Sequence, residues 1–198
     1  GFVKPHLPFN APQKYWDMYS RDQFKPSVQS FWPDDAPREA FHNSGELRAY
    51  HGIPPEGFIS DSASVSMQHG YYACVSYIDA QIGRILQALE ETGRAEDTIV
   101  VLAGDNGLAI GRHGLMGKQN MYDHSIRPPL MVIGPDIPKN QQNSAEVYLQ
   151  DIMATALDIA DAQKPEHVEF NSFMDLIKTG SQTSHYSSIY GCYTNAQR

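Results

Sequence analysis

The chain has 198 residues, 41% of them hydrophobic and 19% charged, with a formal net charge of -8 at pH 7. That length buries a real core and suits one domain with an appended segment. The acidic balance argues against a nucleic-acid partner, and no apolar stretch reaches the ~20 residues that span a bilayer.

In chain order the sequence opens with "GFVKPHLPF". Two prolines stiffen the backbone around His6, and Lys4 and His6, two apart, share a side of an extended chain. Residues 4–66 are dense in Pro, Gly, Asp and Ser, which predicts long ordered loops and one short helix over residues 37–48. Asp34 and Asp35 follow a proline there and read as a turn or a helix cap. From about residue 68 the pattern becomes helical, with Val75, Ile78, Ile82, Ile85, Leu86 and Leu89 on one face and Gly93 as the stop.

The β-branched run "TIVVLAG" (98–104) predicts a strand buried on both faces, and "PPLMVIGP" (128–135) predicts a second. Residues 144–161 predict a short strand and a helix capped by Asp151. The final "IYGCYTNAQR" is a further strand candidate, and both ends of the chain read as cut from something longer. Cys74 and Cys192 make neither a disulfide framework nor a metal-spaced pair, so both are expected as core or free thiols. The order is α/β, with a mostly parallel sheet covered on both sides by helices. It divides into a loop-rich segment, 1–67, and an α/β core segment, 68–198.

The chemistry gathers in "AGDNGLAIGRHGLMGK", residues 103–118. Ligands collect beyond the carboxyl ends of strands in open α/β sheets, where Asp105 and Asn106 lie between Gly104 and Gly107. A carboxylate beside an amide oxygen suits a hard cation such as Ca2+; a strand-ending Asp-Asn-Gly turn is the plainer reading. His113 and Lys118 follow, either as solvated loop residues or as groups converging with Lys4 and His6 on an anion. A local basic cluster can act inside an acidic protein.

These stretches resemble the type I sulfatases of the alkaline-phosphatase superfamily, in particular the iduronate-2-sulfatase-like and bacterial polysaccharide sulfatase branch. The resemblance rests on "GFVKPHLPF", "YYACVSYIDAQIGRIL", "TIVVLAGDNG", "GRHGLMGK" and "MYDHSIRPPLMVIGP", which run in the family's order to about residue 195. It implies a C-terminal portion of a catalytic domain acting on a sulfated small molecule or glycan. By the same resemblance Asp105 and Asn106 are two oxygen ligands of one Ca2+, Lys118 contacts the sulfate, and His6 helps protonate the leaving oxygen. Lys4 and His113 fall to substrate contact, and His124 and Arg127 to bracing the loop.

The family's nucleophile is a formylglycine made from a Cys or Ser in a Cys/Ser-x-Pro-x-Arg motif. No such motif occurs in these residues, and the early strand that bears further metal ligands is missing. The resemblance therefore implies that an N-terminal half supplies both, and that this fragment alone is inactive. It also implies export or a lysosomal location. Nothing in the sequence fixes an oligomeric state. Two alternatives stand: a phosphodiesterase or phosphonate hydrolase of the same superfamily, and a non-catalytic truncated homologue acting as a binding module.

Overall fold

The computed structural model describes residues 1–57 and 59–193. In chain order its main helices are α1 (Gln13–Trp16), α2 (Gly45–Arg48), α3 (Asp61–Glu91), α4 (Asp123–Ile126), α5 (Asp151–Ile159) and α6 (Met174–Thr179). The strands are β1 (Val100–Ala103), β2 (Ala109–Ile110), β3 (Met116–Gly117) and β4 (Leu130–Ile133). Two compact units interleave along the chain: residues 1–94 with 106–128, and residues 95–105 with 129–192. Among the described residues no helix is long and apolar enough to cross a membrane.

In the first unit, α3 starts at Asp61, ahead of the expected residue 68. The Ser60 side chain caps it by accepting a hydrogen bond from the Ala63 N–H (3.2 Å). The helix also buries a different face from the one its large apolar residues outline. Val75 and Ile85 stay 46% and 53% exposed, whereas Ser64, His69, Gly70, Ala73 and Cys74 are covered. Small residues let the N-terminal loops come close. A Cβ on Gly70 would lie 2.6 Å from the Phe9 carbonyl oxygen, the Trp16 ring stacks on His69 at 4.3 Å, and the Cys74 thiol donates to Asn10 O (3.4 Å).

The proline-rich segment is loop, as expected, with Asp34 and Asp35 in a turn. The single helix expected over 37–48 is instead a 3-10 turn (Arg38–Ala40) followed by the separate α2. Arg48 holds this stretch together by donating to the carbonyl oxygens of Asn43, Pro54 and Gly57 at 2.6 to 2.7 Å. Leu47, Ile59 and Met116 form the apolar anchor that joins α2 to the β2–β3 hairpin.

In the second unit β1 pairs with β4, Val100 opposite Ile133 and Ala103 opposite Leu130. The pairing is antiparallel, so the parallel ladder expected of the sheet is not formed between these two strands. The Gly104 N–H donates to Pro129 O (3.0 Å) and extends the same ladder. Both strands alternate half-buried and exposed residues, which corrects the expectation of burial on both faces.

No strand forms over residues 144–149. Side chains have taken the backbone groups instead: Gln182 Oε1 accepts from the Ser144 N–H (2.7 Å), and Ser184 Oγ donates to Glu146 O (2.6 Å). Asp151 is the first residue of α5 rather than its cap. It is 1% exposed and accepts from the N–H groups of Tyr148 (2.8 Å) and Asn171 (3.1 Å) and from the Tyr186 hydroxyl. Burial, with the Asp151 charge, holds the Tyr186 phenol above its usual range, so the hydroxyl remains a donor. Residues 189–193 carry no strand; the rest of that candidate lies outside the described residues. Cys74 and Cys192 are free, the first buried and the second exposed.

Candidate active site

Two side chains singled out from sequence meet in the first unit, through a residue that was not. His6 Nε2 lies 3.0 Å from Glu46 Oε1, and Lys118 Nζ lies 3.9 Å from Glu46 Oε2. Gln119 Nε2 donates to the same Oε2 at 2.9 Å. The fold places them by ordinary means. Glu46 rides on α2 beside the buried Leu47, and the Met116 N–H of β3 donates to Ser44 Oγ (3.2 Å), which ties α2 to the strand leading into Lys118. His6 sits in a turn closed by its own N–H on Val3 O (3.0 Å).

The other basic group of the opening segment turns away from that centre. Lys4 Nζ donates to the carbonyl oxygens of Pro8 and His6 and to Asn10 Oδ1 (2.7 Å). Its charge is engaged in tying down the 4–10 loop.

His113 occupies left-handed backbone (φ 55°) between Gly111 (φ 103°) and Gly114 (φ 68°). Its N–H donates to Gln29 O (2.5 Å), and its ring lies 4.7 Å from Tyr122 and 6.0 Å from His124. Tyr122 and His124 stack on each other at 5.6 Å. The buried His124 Nε2 has no hydrogen-bond partner among the described residues. Burial first, then the charges of His113 and Arg112, push this imidazole down to about 4, so it is neutral at physiological pH. Asn120 pins the segment, its Oδ1 accepting from the Tyr122 N–H and from Ser125 Oγ, both at 3.0 Å. Arg127 makes a local, exposed pair with Asp123 (3.3 Å).

Asp105 ends the 95–105 stretch of the second unit, and Asn106 opens the 106–128 stretch of the first. The backbone beyond them leaves no room: the Gly107 N–H donates to Ser125 O (2.8 Å), and a Cβ on Gly107 would lie 2.0 Å from His124 O. A carboxylate and an amide oxygen are donors of the kind Ca2+ takes, but the ion needs 6 to 8 oxygens. Among the described residues no group of three or more His, Cys, Asp or Glu is placed to hold a metal, so a complete shell needs donors beyond this pair.

Glu46 and Gln119 were invisible in the sequence. Glu46 sits in "GELRAY", inside a loop-rich tract far from both His6 and Lys118, and no spacing rule connects the three.

The family model for sulfatases matches residues 1–162. The chain belongs to the sulfatase family. It is similar to an arylsulfatase from Clostridium perfringens, at 34% identity over 188 residues covering 92% of this chain and 37% of that protein. An iduronate 2-sulfatase from Mus musculus is 30% identical over 141 residues, covering 68% of this chain and 26% of that protein. The chain thus spans a little over a third, or less, of the length of these relatives. A solved phosphonate monoester hydrolase from Silicibacter pomeroyi superposes with a TM-score of 0.77 at 23% identity, covering 96% of this chain and 38% of that one. The fold is therefore the α/β fold of the sulfatases and the alkaline-phosphatase superfamily, present here in part.

Proposed function

We propose that the protein carrying this chain hydrolyses sulfate monoesters, on a sulfated carbohydrate or a related small molecule. The observation that carries the reading is the convergence of the His6 imidazole and the Lys118 ammonium on one carboxylate, in a chain of this family. The likeness to a relative named for iduronate and its 2-sulfate favours a sugar ester.

In the proposed reaction a nucleophile from outside these residues attacks sulfur, and the S–O bond to the alcohol breaks. The departing oxygen takes a proton from the His6 imidazole, which spares it from leaving as a bare alkoxide. Lys118 faces the sulfuryl oxygens and offsets the charge they carry in the transition state. Lys4 keeps the His6 loop in place, and His113 lends its ring to the wall beside Tyr122. Asp105 and Asn106 would hold a Ca2+ together with donors from elsewhere, and the ion would supply further positive charge at the sulfuryl group.

The test is an assay of the full gene product on an aryl sulfate. His6→Ala and Lys118→Ala should each lower kcat/KM, by about 10²- to 10³-fold, while the 198 residues alone should show no turnover. Wild-type rates on phosphonate or phosphate diesters that exceed the sulfate rate would move the protein to its phosphonate-hydrolase neighbours. An inactive full-length protein that still binds sulfated sugars would make it a binding module.

A further inference from the structure

Arg112 stands exposed in the turn between β2 and β3. Its Nε donates to Gln29 Oε1 at 3.1 Å, which uses one edge of the guanidinium. The two Nη atoms remain, and together they make the planar fork that grips a carboxylate or a sulfate through paired bonds. Among the described residues no carboxylate pairs with Arg112. Other cations of the first unit are engaged: Arg127 faces Asp123 at 3.3 Å, Lys118 faces Glu46, and Arg48 donates to three carbonyl oxygens.

The turn holds this side chain in a fixed place. Gln29 binds it twice, since its carbonyl oxygen accepts from the His113 N–H (2.5 Å) while its amide takes Arg112. Gly111, His113 and Gly114 all have positive φ, and a Cβ on Gly114 would lie 3.2 Å from Ser30 O. Left-handed backbone at a non-glycine residue costs stability and persists only where its surroundings impose it. A ligand meeting this turn need not order it first, which favours binding.

The surroundings suit an anionic sugar. The rings of His113, Tyr122 and His124 form a wall beside Arg112. Burial first, then the charges of His113 and Arg112, hold His124 low, and the opposing Asp123 is taken by Arg127. The spot is thus locally positive in an acidic chain. It also lies close to Lys118. From Leu115, at the foot of the turn, three residues of extended chain reach Lys118, a span of about 10 Å. Gly111, Gly114 and His42 line one cavity of about 180 Å³, and a Cβ on Gly117 would lie 3.0 Å from the His42 ring, so His42 connects the turn to the residue before Lys118.

We propose that Arg112 is a specificity-determining residue: its guanidinium, held by Gln29, takes a second anionic group of the substrate, a carboxylate or a further sulfate, while Lys118 faces the sulfate to be cleaved. The inference rests on the sulfatase reading above.

The experiment compares four sulfate esters in the full gene product: 4-nitrophenyl sulfate and a monosulfate of methyl glucoside, which carry one anionic group, and a monosulfate of methyl glucuronide and a disulfate of methyl glucoside, which carry two. Each sugar is also read as an inhibitor of 4-nitrophenyl sulfate turnover, so that an ester bound but not cleaved still counts. The wild-type protein should favour a doubly charged sugar over the neutral one. Arg112→Gln should lower kcat/KM, or weaken inhibition, by about 10- to 10²-fold on that sugar, with 4-nitrophenyl sulfate unchanged. A loss confined to the glucuronide identifies a carboxylate as the partner, and one confined to the disulfate identifies a second sulfate. Gln29→Ala, which leaves the guanidinium unaimed, should show a weaker version and serves if Arg112→Gln folds poorly.

A wild-type protein that ranks charged and neutral sugars alike, or an Arg112→Gln variant that keeps the preference, would overturn the role of Arg112 and leave the sulfatase reading standing. A wild-type protein that hydrolyses none of the sulfates would remove that reading, and the proposal with it.

Discussion

The two units are organised around opposite uses of a carboxylate. In the second, Asp151 is sealed from water and receives two backbone N–H groups and a phenol, all from neighbouring loops. In the first, Glu46 is half-buried and its partners are an imidazole, an amide and an ammonium. A buried carboxylate with three neutral donors fixes backbone. A half-buried one shared among an imidazole, an amide and an ammonium instead gathers polar side chains at one point. On the sulfatase reading proposed above, His6, Glu46 and Lys118 all belong to the first unit, while Asp151 belongs to the second.

Substitutions can break that contrast, the most severe first. Gly107→Ala should be worst, because the new methyl group would fall on the His124 carbonyl oxygen, a backbone atom that cannot rotate aside. A loss of about 3 kcal/mol or more is expected, read as a fall in the denaturation midpoint; an unchanged midpoint would show that this backbone gives way easily.

Asp151→Ala comes next. It strands the N–H groups of Tyr148 and Asn171 and the Tyr186 hydroxyl, and should cost about 2 to 3 kcal/mol. Near-ultraviolet circular dichroism should register the altered surroundings of Tyr148 and Tyr186, which pack at 4.8 Å, while the imidazole NMR signals of His6 persist. Simultaneous loss of both signals would mean that the units do not answer separately.

The gentlest probe is pH. His124 is held down at about 4 against an ordinary 6.5. The unfolded chain therefore takes up this proton first as pH falls, and stability should decline from about pH 6.5 to about pH 4. Burial lowers His42 as well and adds in the same direction. The His124→Gln variant should show a flatter melting profile over that window; an identical slope would rule His124 out as its source.

What could be read from the sequence followed from how locally each signal is encoded. The strands β1 and β4 were legible because runs such as "TIVVLAG" and "PPLMVIGP" have few other uses. The helix α3 was legible from its period, yet its buried side was misread. Large residues such as Val75 and Ile85 looked like core, while Gly70, Ala73 and Cys74 were covered because small side chains admit Phe9 and Trp16. The start of α3 hid in the serines of residues 60–66, which resemble a loop until Ser60 is seen as a cap. A strand at 144–149 had the right composition, but the side chains of Gln182 and Ser184 claimed its backbone at Ser144 and Glu146.

Of the candidate site, His6 and Lys118 could be named from motif. Their meeting point could not, since Glu46 reaches them only through tertiary packing on Leu47 and Met116.

The two thiols give the molecule a ready-made chemical handle. Cys74, on the buried face of α3, donates to Asn10 O and is raised above its usual range by burial, so little of it ionises near neutrality. Cys192 stands at the surface. A maleimide dye added to the native protein should therefore couple at residue 192 and spare residue 74, allowing a fluorophore to be installed without engineering.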